Sequence, residues 1–159
     1  MMTPVDLIRR AYGPVVVETT IGATRHRVFE LLTDPTTYPE WLVGAQRVRR
    51  VDPQFPRAGA EFAHSVGAST ATIDDTTESL GVREDRHVAL LVNAGPFHAR
   101  VDFDLEPGLT PDATSVRFSE RPVGPLAIIT PLLKPMIHAR NLESLRQLAE
   151  YVEANPVQP

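Results

Sequence analysis

The sequence predicts an α+β fold: a curved antiparallel sheet of about seven strands wrapped on one long C-terminal helix, with two short helices after the first strand. Three observations predict it. Turn clusters recur roughly every ten to twelve residues from Gly44 to about Glu120, the punctuation of an antiparallel meander. Inside that region Phe97, Ala99, Val101, Phe103 and Leu105 hold one parity and His98, Arg100, Asp102 and Asp104 the other, so the sheet has a dry face and a wet face. After Pro122 the apolar period changes from about 2 to about 3.6, and Leu142, Leu145, Leu148, Ala149 and Val152 make one helical stripe.

Each element has its own local reason. Val15 to Ile21 is a β-branched run that stops at Gly22 and reads as a strand. Thr24 is an N-cap for a helix over Arg25 to Leu32, whose Val28, Leu31 and Leu32 share one buried stripe. Asp34-Pro35 repeats the start signal and opens a short helical turn through Tyr38, limited by Pro39. Glu61 to Val66 places Phe62, His64 and Val66 on one parity, and Ser115 to Glu120 does the same with Val116 and Phe118. Arg86 to Asn93 is more uniformly apolar. Arg47 to Asp52 alternates poorly, and Ala71 to Leu80 is polar on both parities; such strands are either edges or surround something other than a dry core. Thr130-Pro131 is an N-cap and first-position proline for a helix running to Ala154, about 36 Å long, with a kink expected at Pro135.

Composition sets the outer limits. Val, Leu, Ile and Phe account for 44 of the 159 residues, enough for a single domain over 1–159 without a metal or disulfide staple; 1–14 and 155–159 are expected to be peripheral. Cysteine is absent, which excludes a thiolate nucleophile, an Fe–S cluster and a disulfide framework, and fits a cytoplasmic location. The net charge of -4, with acidic and basic residues interspersed, argues against a nucleic-acid partner. Neither a secretion signal nor a membrane-spanning run is legible, the longest aliphatic stretch being Val88 to Val92. No pair of histidines has metal-ligand spacing, so neither a metal nor another cofactor is expected.

A sheet with one apolar face and a single long helix must pack on each other. One helix about 10 Å wide does not fill a wide concavity, so a deep pocket is expected between them. The stretch Ile21-Gly-Ala-Thr-Arg-His-Arg-Val28 through Asp34-Pro35-Thr-Thr-Tyr38-Pro39-Glu-Trp41, and the terminal run from Gly124-Pro125-Leu126 to Glu153, resemble the START-related SRPBCC superfamily. Within it the chain is most similar to the small polyketide cyclase/dehydrase and lipid-transport-like proteins. The resemblance implies the helix-grip fold and a cavity for a hydrophobic or amphipathic small molecule, such as a lipid, polyketide or isoprenoid-like compound. Because that superfamily spans carriers, cyclases, dehydratases and chaperone cofactors, fold analogy leaves two alternatives standing: a cyclase/aromatase or dehydratase, and a protein-interaction module.

The candidate wall comprises Phe62, Phe97, Val101, Phe103 and Phe118 from the apolar strand parity, with Tyr38 and Trp41 from the second short helix and the residues after it. Trp41 serves either as a structural plug or as pocket wall with a polar handle. His64 is the one polar member of its parity and is either a core histidine satisfied by Asp75 or Thr77 on the next strand, or a general base. His138 and Asn141 are candidate contacts from the long helix, and Asp74, Asp75 and Glu78 read as a solvated strand face. Leu126 to Ile137 is either the entrance to that helix or a lid or apolar lip that makes transient contact with a membrane, in a chain expected to be a monomer or homodimer.

Overall fold

In the computed structural model, which describes residues 1–68 and 71–157, the chain opens on a helix, α1 (Pro4–Tyr12). Sequence reading left 1–14 without an element, although the start signal is present. The Thr3 hydroxyl accepts from the Asp6 amide at 3.1 Å and the Asp6 carboxylate accepts from the Thr3 amide at 3.0 Å, a reciprocal cap, with Pro4 in the first turn. No residue of α1 is buried, so its making no part of the core is what hid it.

Strand β1 (Val15–Ile21) and helix α2 (Arg25–Leu32) lie where the sequence predicts them, with the Thr24 hydroxyl accepting from the Arg27 amide. A 3-10 turn at Pro35–Thr37, capped by the Asp34 carboxylate, leads into α3 (Tyr38–Trp41). Pro39 does not limit this helix. It occupies the first turn, where its missing N–H has no helical partner to lose.

Six further strands follow: β2 (Ala45–Val51), β3 (Glu61–Ala68), β4 (Ala71–Arg83), β5 (His87–Ala94), β6 (Phe97–Pro107) and β7 (Thr114–Val123). The seven strands form one sheet in the order β1-β7-β6-β5-β4-β3-β2, antiparallel throughout. Of the two strands with poor alternation, β2 is an edge and β4 is interior. Register shifts interrupt β2 twice and β4 between Ser79 and Gly81, where Gly81 has φ +131°. Each shift bends and twists the bulged strand, curling this side of the sheet.

A second 3-10 turn, Pro125–Ile129, precedes α4 (Thr130–Ala154), a helix of 25 residues with Pro135 inside it. Thr130 is not its N-cap. It is already helical and its hydroxyl donates to the Ala127 carbonyl at 2.6 Å, while Ile129 holds the cap position without a side-chain bond. The C-terminal half of α4 buries Leu145, Leu148 and Val152 in a core shared with Val17, Ile21, Val28, Leu105 and Val116. Its first half is largely exposed, Leu132 at 81% and Met136 at 60%. Helix α4 lies on β1 and touches β7, whereas α3 sits between α4 and β2. The buried half of α4 therefore lies away from β3 and β4, and α3 closes the concave face there from the β2 side.

Candidate functional site

In an antiparallel sheet, residues directly opposite one another point to the same face. The observed register therefore lays parallel rows of side chains across the concave surface. His64 faces Asp75 and Asp75 faces Ala94; Phe62 faces Thr77 and Thr77 faces Val92. Farther along, Leu90, Val101 and Glu120 form a third row, and Phe103 and Phe118 belong to the next. With Tyr38 and Trp41 of α3, and Met136 and Arg140 one turn apart on α4, these rows enclose a cavity of about 530 Å³.

The aromatic part of the wall is fixed by its own contacts. Tyr38 meets Trp41 and Phe62 edge-on at centroid distances of 5.0 and 5.4 Å, and Phe103 lies 4.4 Å from Phe118. The Tyr38 hydroxyl donates to the Leu32 carbonyl at 2.6 Å and the Trp41 indole donates to the Thr37 hydroxyl at 3.2 Å. Burial drives the Tyr38 phenol well above its ordinary pKa. Both rings thus present apolar surface, and their polar handles are held by the last residue of α2 and by the 3-10 turn before α3.

The polar part of the wall is concentrated on β3 and β4. His64 Nε2 is 2.9 Å from the Thr77 hydroxyl and 3.7 Å from Asp75 Oδ2. The Asp75 side chain is wholly inaccessible, yet among the described residues neither of its oxygens has a hydrogen-bond partner, and His64 Nδ1 has none either. Burial pushes the Asp75 carboxyl up to about 7, against the pull of the Thr76 amide and the Arg49 charge. Burial, and then Arg49, push the His64 imidazole down to about 4. Between those values both groups are uncharged, Asp75 keeping its carboxyl proton. Arg49 acts from the sheet edge, where its guanidinium donates to the His64 and Asp75 backbone carbonyls at 3.4 Å each.

At the junction of β7 with α4 a second polar group forms. The Glu120 carboxylate accepts from the Arg140 guanidinium and, at 2.8 Å, from the Asn141 amide, while Asn141 Oδ1 accepts from Arg140 Nε at 3.2 Å. Every charge here already has a partner.

A sequence model described as polyketide cyclase / dehydrase and lipid transport matches residues 14–153. The chain belongs to this family. Solved structures with the same fold include protein CV1439 from Chromobacterium violaceum, with 18% identity over 90% of this chain and 99% of that one and a TM-score of 0.69. Protein NE0264 from Nitrosomonas europaea gives 18% identity over 89% and 94%, with a TM-score of 0.72. The Zhui aromatase/cyclase from Streptomyces sp. R1128 gives 15% over 88% and 93%, with a TM-score of 0.69. No curated protein matches the chain in sequence.

Against this family fold the individual candidates separate. Tyr38, Trp41, Phe62, His64, Val101, Phe103 and Phe118 line the cavity. Phe97 does not: it starts β6 beyond the roofed part of the sheet and is 43% exposed. His138 is exposed on the outer side of α4. Asn141 is fully buried but off the wall, spent on Glu120 and Arg140. The solvated face expected of Asp74, Asp75 and Glu78 splits, with Asp74 exposed, Glu78 half-buried and Asp75 facing inward. Glu120 and Arg140 are wall residues that sequence reading missed. Glu120 does share the parity of Val116 and Phe118, and that was the available signal.

Outside the cavity, His26, Glu84 and Asp85 bring one potential ligand atom each within 4.8 Å of one another. His26 Nδ1 already bonds Asp85 Oδ1 at 3.0 Å, and that bond, then the Asp85 charge, raises the imidazole pKa. The three sit in an exposed ion-pair cluster assembled from α2 and the β4–β5 turn, which spacing along the sequence does not reveal. Among the described residues no helix is long and apolar enough to cross a membrane.

Proposed function

We propose that this family member binds a hydrophobic or amphipathic small molecule, of lipid, polyketide or isoprenoid-like type, in the space between the curled sheet and α4. The observation that carries this reading is the cavity itself. Its volume of about 530 Å³ falls within the roughly 300 to 1,000 Å³ of small-molecule sites, and an apolar wall with a few convergent polar groups is their usual construction. Phe62, Leu90, Val92, Val101, Phe103 and Phe118 supply the apolar surface. Soaking the full chain with a mixed library of lipids and polycyclic aromatics and reading thermal shifts tests it, since a ligand that binds only the folded state raises the midpoint. Stabilisation by a subset of apolar compounds is the expected result. Uniform absence of stabilisation, with wild type and a cavity-filling Val92→Trp variant behaving alike, rejects it.

The unpartnered atoms of His64 and Asp75 favour one second reading, acid–base catalysis of the cyclase/aromatase or dehydratase kind. In it neutral His64 takes a proton from a carbon next to a carbonyl while protonated Asp75 hydrogen-bonds the oxygen that gains charge, and the wall holds the substrate folded. Tyr38 has no part in this chemistry, its hydroxyl being held by Leu32. If His64→Ala leaves the turnover of a candidate polyketide unchanged, this reading is wrong.

A further inference from the structure

Among the described residues, the cavity has one chemically incomplete place. Around it the wall is aromatic and aliphatic, and the other charged lining pair, Glu120 and Arg140, is closed on itself and on Asn141. At the β3–β4 end, by contrast, two carboxyl oxygens and one imidazole nitrogen are buried without partners. Buried polar groups are almost always paired, so unpaired ones lining a void ask for a molecule that pairs them. What they ask for is legible from the hydrogen-bond network. His64 Nε2 lies 2.9 Å from the Thr77 hydroxyl, and in the tautomer where that hydroxyl donates, the imidazole proton sits on Nδ1 and makes that atom a donor. Asp75 supplies the acceptor beside it.

We propose that the ligand of this cavity ends in an uncharged hydroxyl, alcohol or phenol, which donates to Asp75 and accepts from His64 Nδ1, and that molecules of the same body ending in a carboxylate are turned away. The inference rests on the binding reading above and adds the class of head group. A hydroxyl is both donor and acceptor, so it completes both partners at once. A carboxylate head brings two acceptors to a site whose main feature is already an acceptor. Its charge would enter a buried, largely apolar wall whose described part holds no uncommitted cation to offset it. An ammonium head satisfies Asp75 but meets the Nδ1–H of His64 donor to donor. The near-neutral state of both residues around neutral pH, Asp75 with its proton held up to about 7 and His64 without one above about 4, agrees with an uncharged head.

The test uses four fluorescent probes with one body: pyrene, 1-hydroxypyrene, pyrene-1-carboxylate and 1-pyrenemethylammonium, titrated against the full chain at pH 7. Where a site is built to hydrogen-bond a hydroxyl, the analogue lacking it is rejected by large factors; here 1-hydroxypyrene is expected to bind at least about tenfold more tightly than pyrene or the carboxylate. In Asp75→Leu, and independently in Thr77→Val, that preference should fall to within about threefold while pyrene itself binds at least as well. Equal binding of pyrene and 1-hydroxypyrene, or tightest binding of the carboxylate or the ammonium, overturns the head-group inference and leaves the cavity reading standing. Binding of none of the four overturns both. Because the four probes are compared on the wild-type chain, the result does not depend on either variant folding.

Discussion

At the β1–β7 end of the concave face the inward parity is Val17, Val116, Phe118 and, one strand on, Leu105, and α4 lays Leu145, Leu148 and Val152 over it. At the β3–β4 end the inward parity becomes His64, Asp75 and Thr77, and the space in front of them is the cavity. The same sheet and the same helix contribute to both. The difference lies in where the apolar stripe of α4 ends: below Asn141 the helix has little to bury, and Met136 and Leu132 remain exposed. Polar inward residues and a departing helix go together: the buried Asp75 carboxyl is already without a partner among the described residues, and an apolar helix face pressed onto it would fill the space from which one could reach it. One end of the molecule secures the fold, and the other keeps a void open at the expense of stability.

The largest way to separate the two ends is to cut a side chain from each. Leu148 is fully buried in the dry end, so Leu148→Ala should cost about 3 kcal/mol, the transfer loss plus the cavity it leaves. Val92 lines an existing void and is only half-buried; Val92→Ala should cost less than about 1 kcal/mol, because the deleted methyl groups had few neighbours on the open side. Urea unfolding of both variants gives the comparison directly. Equal losses would mean that the cavity end is packed as tightly as the core.

The second test acts on the polar end through pH. The Asp75 carboxyl has a native value near 7 against an ordinary 3.8, so from about pH 4 upward the unfolded chain releases this proton first, and Asp75 lowers stability progressively until about pH 7. His64, depressed from 6.5 to about 4, acts oppositely: the stability it contributes is complete above about 6.5 and is lost as the pH falls towards 4. The wild-type profile between those limits is therefore nearly flat. Asp75→Asn removes one of the two slopes. The groups facing this site are Arg49 on β2, His64 on β3 and, across the cavity, the mutually paired Glu120 and Arg140; none of them is altered by the change. The variant's stability relative to wild type should rise by about 1 to 3 kcal/mol between pH 5 and pH 8. Thermal melts at the two pH values check it, and a gap that stays constant would show that Asp75 is charged in the native state at both.

How much of this was legible beforehand differs between the ends for the same physical reason. Hydrophobic alternation reports a buried face only when the buried residues are apolar. It therefore gave β6 and β7 and the α4 stripe with nearly correct bounds, and placed Val101, Phe103 and Phe118 on the inner surface. On β4 the buried parity is Asp75, Thr77 and Ser79, so the pattern vanished, although its absence from an otherwise regular meander was itself the sign of a surface facing something other than core. His64 was singled out because one polar residue broke an apolar parity, and Thr77 and Asp75 were named as its neighbours. Phe97 was misplaced because alternation continues past the point where the roof ends, and nothing local marks that point. His138 and Arg140 lie close together on one helix, and only the tertiary crossing of α4 over β7 decides that Arg140 faces inward.

Arg140→Ala probes the seam between the two ends with a smaller effect. It leaves the Glu120 carboxylate, 9% exposed, with Asn141 as its remaining partner in the seam. Breaking a buried pair by removing one member is expensive, but the Arg140 side chain is 38% exposed and water reaches the site once it is gone. A loss of about 1 kcal/mol is expected, together with easier ligand exchange, since Arg140 also lines the cavity. Urea midpoints and probe off-rates measure the two parts separately. An unchanged midpoint would make the Glu120 link a surface ion pair in energetic terms.

The smallest effect asks whether the open end is energetically separate at all. Helix α1 contacts α4, where the Lys134 ammonium donates to the Arg10 carbonyl, but it buries none of its own residues. Thr3→Ala removes the hydroxyl that caps the Asp6 amide, worth about 1 kcal/mol to the helix it starts. If α1 opens independently of the dry core, that loss stays local: amide exchange at Leu7, Ile8 and Arg9 should accelerate by about fivefold while the urea midpoint does not move. If the midpoint falls by the full cap energy instead, α1 unfolds together with Leu145 and Leu148, and the two ends are one cooperative unit. The exposure of Val5, Ile8 and Tyr12 argues for the first outcome, because a helix with no buried side chain has little through which to transmit its loss.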